Sequence, residues 1–217
     1  MDLLRQVDAY CERTDFSFWS EPLNAITNLA FILAALAAFM LWRKAGRKDA
    51  GALVLILLMA TIGVGSFLFH TYATIWAMLL DVIPIMIFML VYFYLATRAY
   101  LAAGRLQAVV ATLGFLGVLL GAPQFIEPIF GSSGGYVPAL LAMWGFAAIL
   151  MRKDPETARA LAIAGAVFTL SLAFRMMDEP ICSHIALGTH FLWHIFNSIV
   201  LFVLTRAFIR FKARTIA

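Results

Sequence analysis

The stretch Leu187–Leu204, LGTHFLWHIFNSIVLFVL, is an apolar run long enough to cross a bilayer, with no charged residue in it. It nevertheless carries two imidazoles, His190 and His194, four residues apart. On a helix that spacing places both rings on one face, one turn apart, where they can grip a single metal ion. Polar groups at membrane depth are costly unless they face the bundle interior, a partner or water. The plainer alternative for the pair is interhelical hydrogen bonding, worth about 1 kcal/mol or less for each ring.

The rest of the chain has the same character. Of 217 residues, 64% are hydrophobic and 13% charged, and the mean hydropathy is +0.93. These values lie outside the range of soluble domains and define an integral membrane protein. The isoelectric point near 9.3 does not indicate nucleic acid, because the basic residues fall in short clusters between apolar runs, as orientation signals do. The first 21 residues have no basic region leading into a short apolar core, so a cleavable signal peptide is not expected. Two cysteines without a CxxC exclude a cysteine-rich zinc or redox site.

Seven apolar runs follow one another: 24–42, 52–69, 75–96, 106–121, 137–151, 161–174 and 187–204. The fourth to sixth are short against the roughly 20 residues that a span needs, so five or six helices is the competing count. Charge decides between them. Arg43, Lys44, Arg47 and Lys48 follow the first run; Arg98 and Arg105 flank the loop after the third. Arg152, Lys153 and Arg159 follow the fifth, and Arg206, Arg210, Lys212 and Arg214 close the chain. Only Arg5, Arg13 and Arg175 fall on the other side. The expected fold is an all-α integral membrane bundle of seven transmembrane helices, amino terminus outside and carboxyl terminus cytoplasmic. It divides into an acidic extracytoplasmic segment (1–21), one transmembrane domain (22–208) and a basic cytoplasmic tail (209–217).

Within the spans, Pro84 removes the hydrogen bond to the Leu80 carbonyl and is expected to bend its helix beside Asp81. Gly63, Gly65, Gly114 and Gly117 are expected close-packing positions between helices. Ser66 and His70 share a face at the outer end of the second run, and Asp81 lies about two turns into the third. In this topology Ser66, His70, Asp81, His190 and His194 converge in the outer half of the bilayer. An unpaired Asp81 would cost about 2.5–3.5 kcal/mol at mid-span, so it needs a partner. Three histidines with one open position form the ligand set of a hydrolytic zinc site. The plainer alternatives are a bond from Ser66 to the Ile62 carbonyl, a proton relay at Asp81 and a helix-end cap at His70. His184 is expected to be a surface histidine.

These pieces resemble the alkaline ceramidases, within the wider superfamily of seven-helix membrane hydrolases that includes the adiponectin-receptor type proteins. The matching elements are Glu21-Pro22-Leu23-Asn24-Ala25-Ile26-Thr27-Asn28, then Ser66-xxx-His70 with Asp81 eleven residues on, then His190-xxx-His194. The resemblance implies a zinc held by His70, His190 and His194, with Asp81 as the proton acceptor and Ser66 supporting the zinc site or the oxyanion. It implies cleavage of the amide of ceramide, or of a related N-acylated lipid, into a fatty acid and an amine base.

The resemblance further implies a calcium ion on the acidic amino-terminal segment, through Glu12, Glu21, Asp8 and Asp15; a solvated acidic tail is the alternative. The chain departs from the family pattern there: Ala9-Tyr10 stands where Asp-Trp is usual before Cys-Glu, and the interval from Cys11 to Glu21 is shorter. Cys11 and Cys182 both fall on the outer side, where a disulfide is permitted. Two other functions compete: a receptor-like or structural protein with an architectural zinc, and a proton-coupled transporter using Asp81 and the histidines. Expected partners are the membrane and a lipid substrate, with a bacterial inner membrane or a eukaryotic endomembrane as the location.

Overall fold

The structure, a computed structural model, describes residues 2–46 and 49–216. Arg47 and Lys48, two of the basic residues used above, lie outside the described residues, as do Met1 and Ala217. Among the described residues the regular elements are helices. They are α1 (Pro22–Thr27), α2 (Leu29–Lys44), α3 (Ala50–Tyr72), α4 (Ile75–Tyr100), α5 (Arg105–Gly121), α6 (Pro123–Phe130), α7 (Val137–Leu150), α8 (Pro155–Met177) and α9 (His190–Ile216). Short 3-10 turns occupy Gly131–Tyr136 and Glu179–Ile181.

Local chemistry sets the boundaries. Asp49 accepts from Ala52 N to cap α3, and Asp154 accepts from Thr157 N to cap α8, with Pro155 opening that helix. Six helical segments are long and apolar enough to cross a membrane: Pro22–Lys44, Ala50–Tyr72, Ile75–Tyr100, Pro123–Leu150, Pro155–Met177 and His190–Thr215. Two of the three short runs therefore lengthen: α8 extends beyond 161–174 at both ends, and α7 is preceded by α6 and a 3-10 turn. Only α5 stays short, with 17 residues, about 25 Å of helix against roughly 30 Å of hydrocarbon. At the far end, α9 continues through Arg206, Arg210, Lys212 and Arg214, so residues 209–216 prolong the helix.

The bundle is apolar outside and mixed inside. Leu33, Leu36, Leu57, Val110 and Leu113 are exposed, as lipid-facing side chains are. Helix α9 packs against α2, α3 and α8, and α3 against α4. One continuous core runs through Phe31, Met59, Phe88, Phe146, Phe168, Trp193 and Phe208. Buried among it are Ser66, Asp81, Asn197 and Thr205 and the three histidines 70, 190 and 194.

The four glycines read as packing positions divide. A Cβ on Gly65 would stand 2.0 Å from the Leu80 carbonyl oxygen, and one on Gly63 would stand 2.9 Å from Phe31 Cβ. Gly114 and Gly117 have nothing within 4 Å, so the expectation fails for them: α5 turns this face away from its neighbours. Pro84 lies inside an unbroken α4. The Leu80 carbonyl it deprives of a donor is the group that approaches Gly65.

The amino-terminal segment is not a free tail. Val7 N donates to Ala73 O at 2.8 Å, Ile75 N to Arg5 O at 3.1 Å and Trp76 N to Leu3 O at 3.1 Å, which lays the segment along the α3–α4 turn. A disulfide joins Cys11 to Cys182 across 171 residues. The chain before α1 is thus fastened over the end of the bundle where α3 finishes and α4 and α9 start.

Candidate metal centre

Helix α3 delivers His70 in its last turn, and α9 delivers His190 and His194 in its first two. All three are almost fully buried, and one ligand nitrogen from each lies within 4.8 Å of the others. The i, i+4 reading of α9 and its convergence with α3 both hold.

Each ring is oriented from behind. His70 Nδ1 lies 2.6 Å from Glu21 Oε2, and the carboxylate can only accept, so the nitrogen donates and Nε2 keeps its lone pair. His194 Nδ1 lies 3.0 Å from Thr27 Oγ1. Thr27 spends its own proton on the Leu23 carbonyl at 2.8 Å, so it too accepts from the ring. His190 is placed by its backbone: His190 N and Thr189 N donate to Asp178 Oδ1 at 2.8 and 2.6 Å. Asp178 is a carboxylate cap supplied from outside the helix, where the helix dipole favours negative charge. Its second oxygen accepts from Cys11 N at 3.1 Å. The Tyr10 ring stacks on His190 with 3.7 Å between centroids.

The outcome is a set of buried nitrogens with no partner: His70 Nε2, His194 Nε2 and His190 Nδ1. Orphaned buried polar atoms are rare and need an explanation. Three imidazoles, two of them held by a carboxylate or hydroxyl on the far nitrogen, fit a divalent transition metal with a nitrogen preference, and the group could hold such an ion.

Asp81, also buried, has Oδ1 without a partner. The polar groups whose fields reach its carboxyl are His70, the Ser66 hydroxyl and Arg175. Ser66, one turn before His70 on α3, and Asp81 on α4 sit on adjacent helices that touch backbone to backbone at Gly65 and Leu80.

Of the four carboxylates of the acidic segment, Glu12 and Glu21 are buried and hydrogen-bonded within the protein. Glu12 accepts Leu23 N and Asn24 N, both at 2.7 Å, one on each oxygen. Burial pushes its carboxyl up, partly offset by those two N–H groups. Glu21 accepts Arg13 Nε on one oxygen at 2.5 Å, and His70 and Asn24 on the other. Burial pulls its carboxyl upward, but the hydrogen bond from His70 and the Arg13 charge outweigh it, and the net direction is down. Asp8 and Asp15 are exposed. Asp15 bonds Ser17 and is lowered by it. His184 is exposed, as expected, and pairs with Ser183.

Sequence reading missed Arg13, Thr27, Asp178 and Arg175. Thr27 lay inside the quoted Glu21–Asn28 motif and is the one with a local signal. Arg175 donates to Ser132 and Ser133 Oγ at 3.0 and 2.7 Å and lies over the rings of Tyr136 and Trp193.

Two openings flank the histidines. A polar cleft is lined by Tyr10, Ser132, Ser133, Arg175 and Asp178. An apolar cavity of about 640 Å³, counting its open mouth, runs between α4, α5, α7, α8 and α9, past Phe88, Tyr92, Phe115, Met143 and Leu201. Asn197, one turn beyond His194, is on its wall.

A search of curated proteins finds no match. The family model for ceramidases matches residues 8–215, nearly the whole chain, including most of the segment before α1 and the three histidines of the site. The chain therefore belongs to the ceramidase family and is a hydrolase acting on an amide-linked lipid.

Proposed function

We propose that the chain is a zinc-dependent amidohydrolase that cleaves the amide of ceramide, or of a related N-acylated lipid, to a free fatty acid and an amine base. The observation that carries this reading is the buried group His70, His190 and His194, in which one ligand nitrogen from each ring lies within 4.8 Å of the others and each ring has a nitrogen without a partner. A zinc ion held by these three would supply Lewis acidity and an activated water at neutral pH. The protein's own residues do the rest. Asp81, with an unengaged oxygen beside the site, takes a proton from the attacking water and returns it to the departing amine. The Ser66 hydroxyl donates to the oxygen on which negative charge develops.

The two openings match the two halves of such a substrate. The apolar cavity begins one turn beyond His194 and takes the acyl chain; the polar cleft beside Tyr10 and Arg175 takes the hydroxylated head of the base. A site of this size, mostly apolar with few polar groups, is the usual form of a lipid pocket.

The same reading places α5 as a seventh, short span. The amino terminus then lies outside, the carboxyl terminus in the cytoplasm and the site near the extracytoplasmic surface. The charge distribution supports this orientation, with Arg13 and Arg175 near the histidines and Arg206, Arg210, Lys212 and Arg214 at the other end of α9. A shorter helix is accommodated by local thinning or by packing.

The test is fatty-acid release from N-acylated lipid by purified protein, measured beside metal content. Asp81→Asn is expected to lose turnover about 100- to 10,000-fold, the range of a general acid–base group, while zinc stays bound. Turnover retained in that variant would remove Asp81 from the mechanism.

A further inference from the structure

The acidic segment and the calcium ion implied by resemblance do not fit each other. Calcium takes six to eight oxygens at about 2.3–2.6 Å. Both oxygens of Glu12 already accept the first backbone N–H groups of α1, and both oxygens of Glu21 accept hydrogen bonds from Arg13, His70 and Asn24. Asp8 and Asp15 stay exposed.

What occupies the place beside Glu21 is a guanidinium. Arg13 is 6% exposed, and its side chain and that of Glu21 are 1% and 3% exposed. Its three nitrogens each donate to one oxygen: Glu21 Oε1 at 2.5 Å, the Asp15 carbonyl at 3.0 Å and the His70 carbonyl at 3.1 Å. One carboxylate and two backbone carbonyls are the kind of oxygen set a hard cation would take. A planar fork of five donors serves them equally well and brings its own positive charge, which would repel a second cation. The His70 carbonyl lies in the last turn of α3, where a cation is also favoured by the helix dipole.

We infer that Arg13 is the resident cation of this chain: it ties the amino-terminal segment, Glu21 and the His70 end of α3 into one unit, and metal loading at the three histidines does not depend on calcium. Arg13 acts as a positioning residue. It fixes Glu21, and Glu21 fixes the His70 ring and its tautomer. Removing it leaves a buried carboxylate without its charged partner, one of three, so the effect should reach the metal.

The experiment uses the full-length protein in detergent or nanodiscs, loaded with zinc. Calcium chloride or a calcium-selective chelator is added while the melting temperature and the zinc affinity, by chelator competition, are followed. Neither should change in the wild type. Arg13→Ala should lower zinc affinity about 10- to 100-fold, and Arg13→Lys, which keeps the charge but not the fork, should recover part of it.

A saturable calcium-induced rise in melting temperature of the wild type would overturn the inference. So would unchanged zinc affinity in folded Arg13→Ala, since a merely structural residue would move the melting temperature alone. If Arg13→Ala does not fold, the calcium titration of the wild type still decides. Neither readout needs turnover, so failure of the hydrolase proposal and failure of this one are distinguishable.

Discussion

Glu21 ties several parts of the site together, because one carboxylate meets His70, Arg13 and Asn24. Glu21→Gln keeps the shape but loses the acceptor charge, and zinc affinity should fall about 10- to 100-fold, read by chelator competition. Its acid dependence has a definite sign. The folded-state carboxyl is held below its ordinary 4.5, so its stabilisation is fully present above about 4.5 and is lost as pH falls through the lower folded value. The melting-temperature advantage of wild type over Glu21→Gln should therefore be constant above about pH 4.5 to 5 and shrink below it. An advantage growing toward acid would contradict the pairing.

At this scale the histidines were legible, because four-residue spacing on an apolar helix has few other uses. The role of Glu21 was not. A carboxylate that orients a ligand and one that binds an ion look alike in sequence, and Arg13, which separates the two, read only as a basic residue on the unexpected side.

Among the elements, the α3–α4 contact gives the sharpest prediction. Gly65→Ala places a methyl 2.0 Å from the Leu80 carbonyl, and no flexible side chain is there to yield. The helices must part, moving Asp81 from His70. A loss of about 1–3 kcal/mol or more is expected, with lower turnover, measured by thermal unfolding and fatty-acid release. Gly114→Ala, on the open face of α5, should instead be neutral or stabilise by up to about 1 kcal/mol. The two glycines were indistinguishable in sequence, since only Pro84 and the freed Leu80 carbonyl separate them.

The tether before α9 is a second case. Cys11→Ser opens the link to Cys182 and should cost about 2–5 kcal/mol, seen as a lower melting temperature under non-reducing conditions, with weaker zinc retention. Helix α6 was missed because Pro123, Glu127 and Pro128 interrupt the apolar pattern; all three are tolerated near a helix start or in a segment with no buried residue.

For the whole molecule, composition and charge alternation gave a membrane bundle directly, since a mean hydropathy of +0.93 leaves no soluble alternative. The cavity and cleft were not legible, because which faces of α4, α7 and α8 turn inward depends on packing. The end of the bundle away from the histidines is closed by ion pairs: Lys212 with Asp49 at 3.3 Å, and Arg214 with Asp154 at 2.9 Å and with Glu156. These pairs are partly exposed and contribute little, while the histidine end is held by the disulfide, Arg13 and Asp178.

The most direct test of the account is zinc stoichiometry with X-ray absorption at the zinc edge, on purified wild type and His194→Ala. About one zinc per chain in a three-imidazole environment is expected, with loss of most of it in the variant. A wild type without bound metal, or a His194→Ala protein with undiminished zinc and the same edge spectrum, would contradict it.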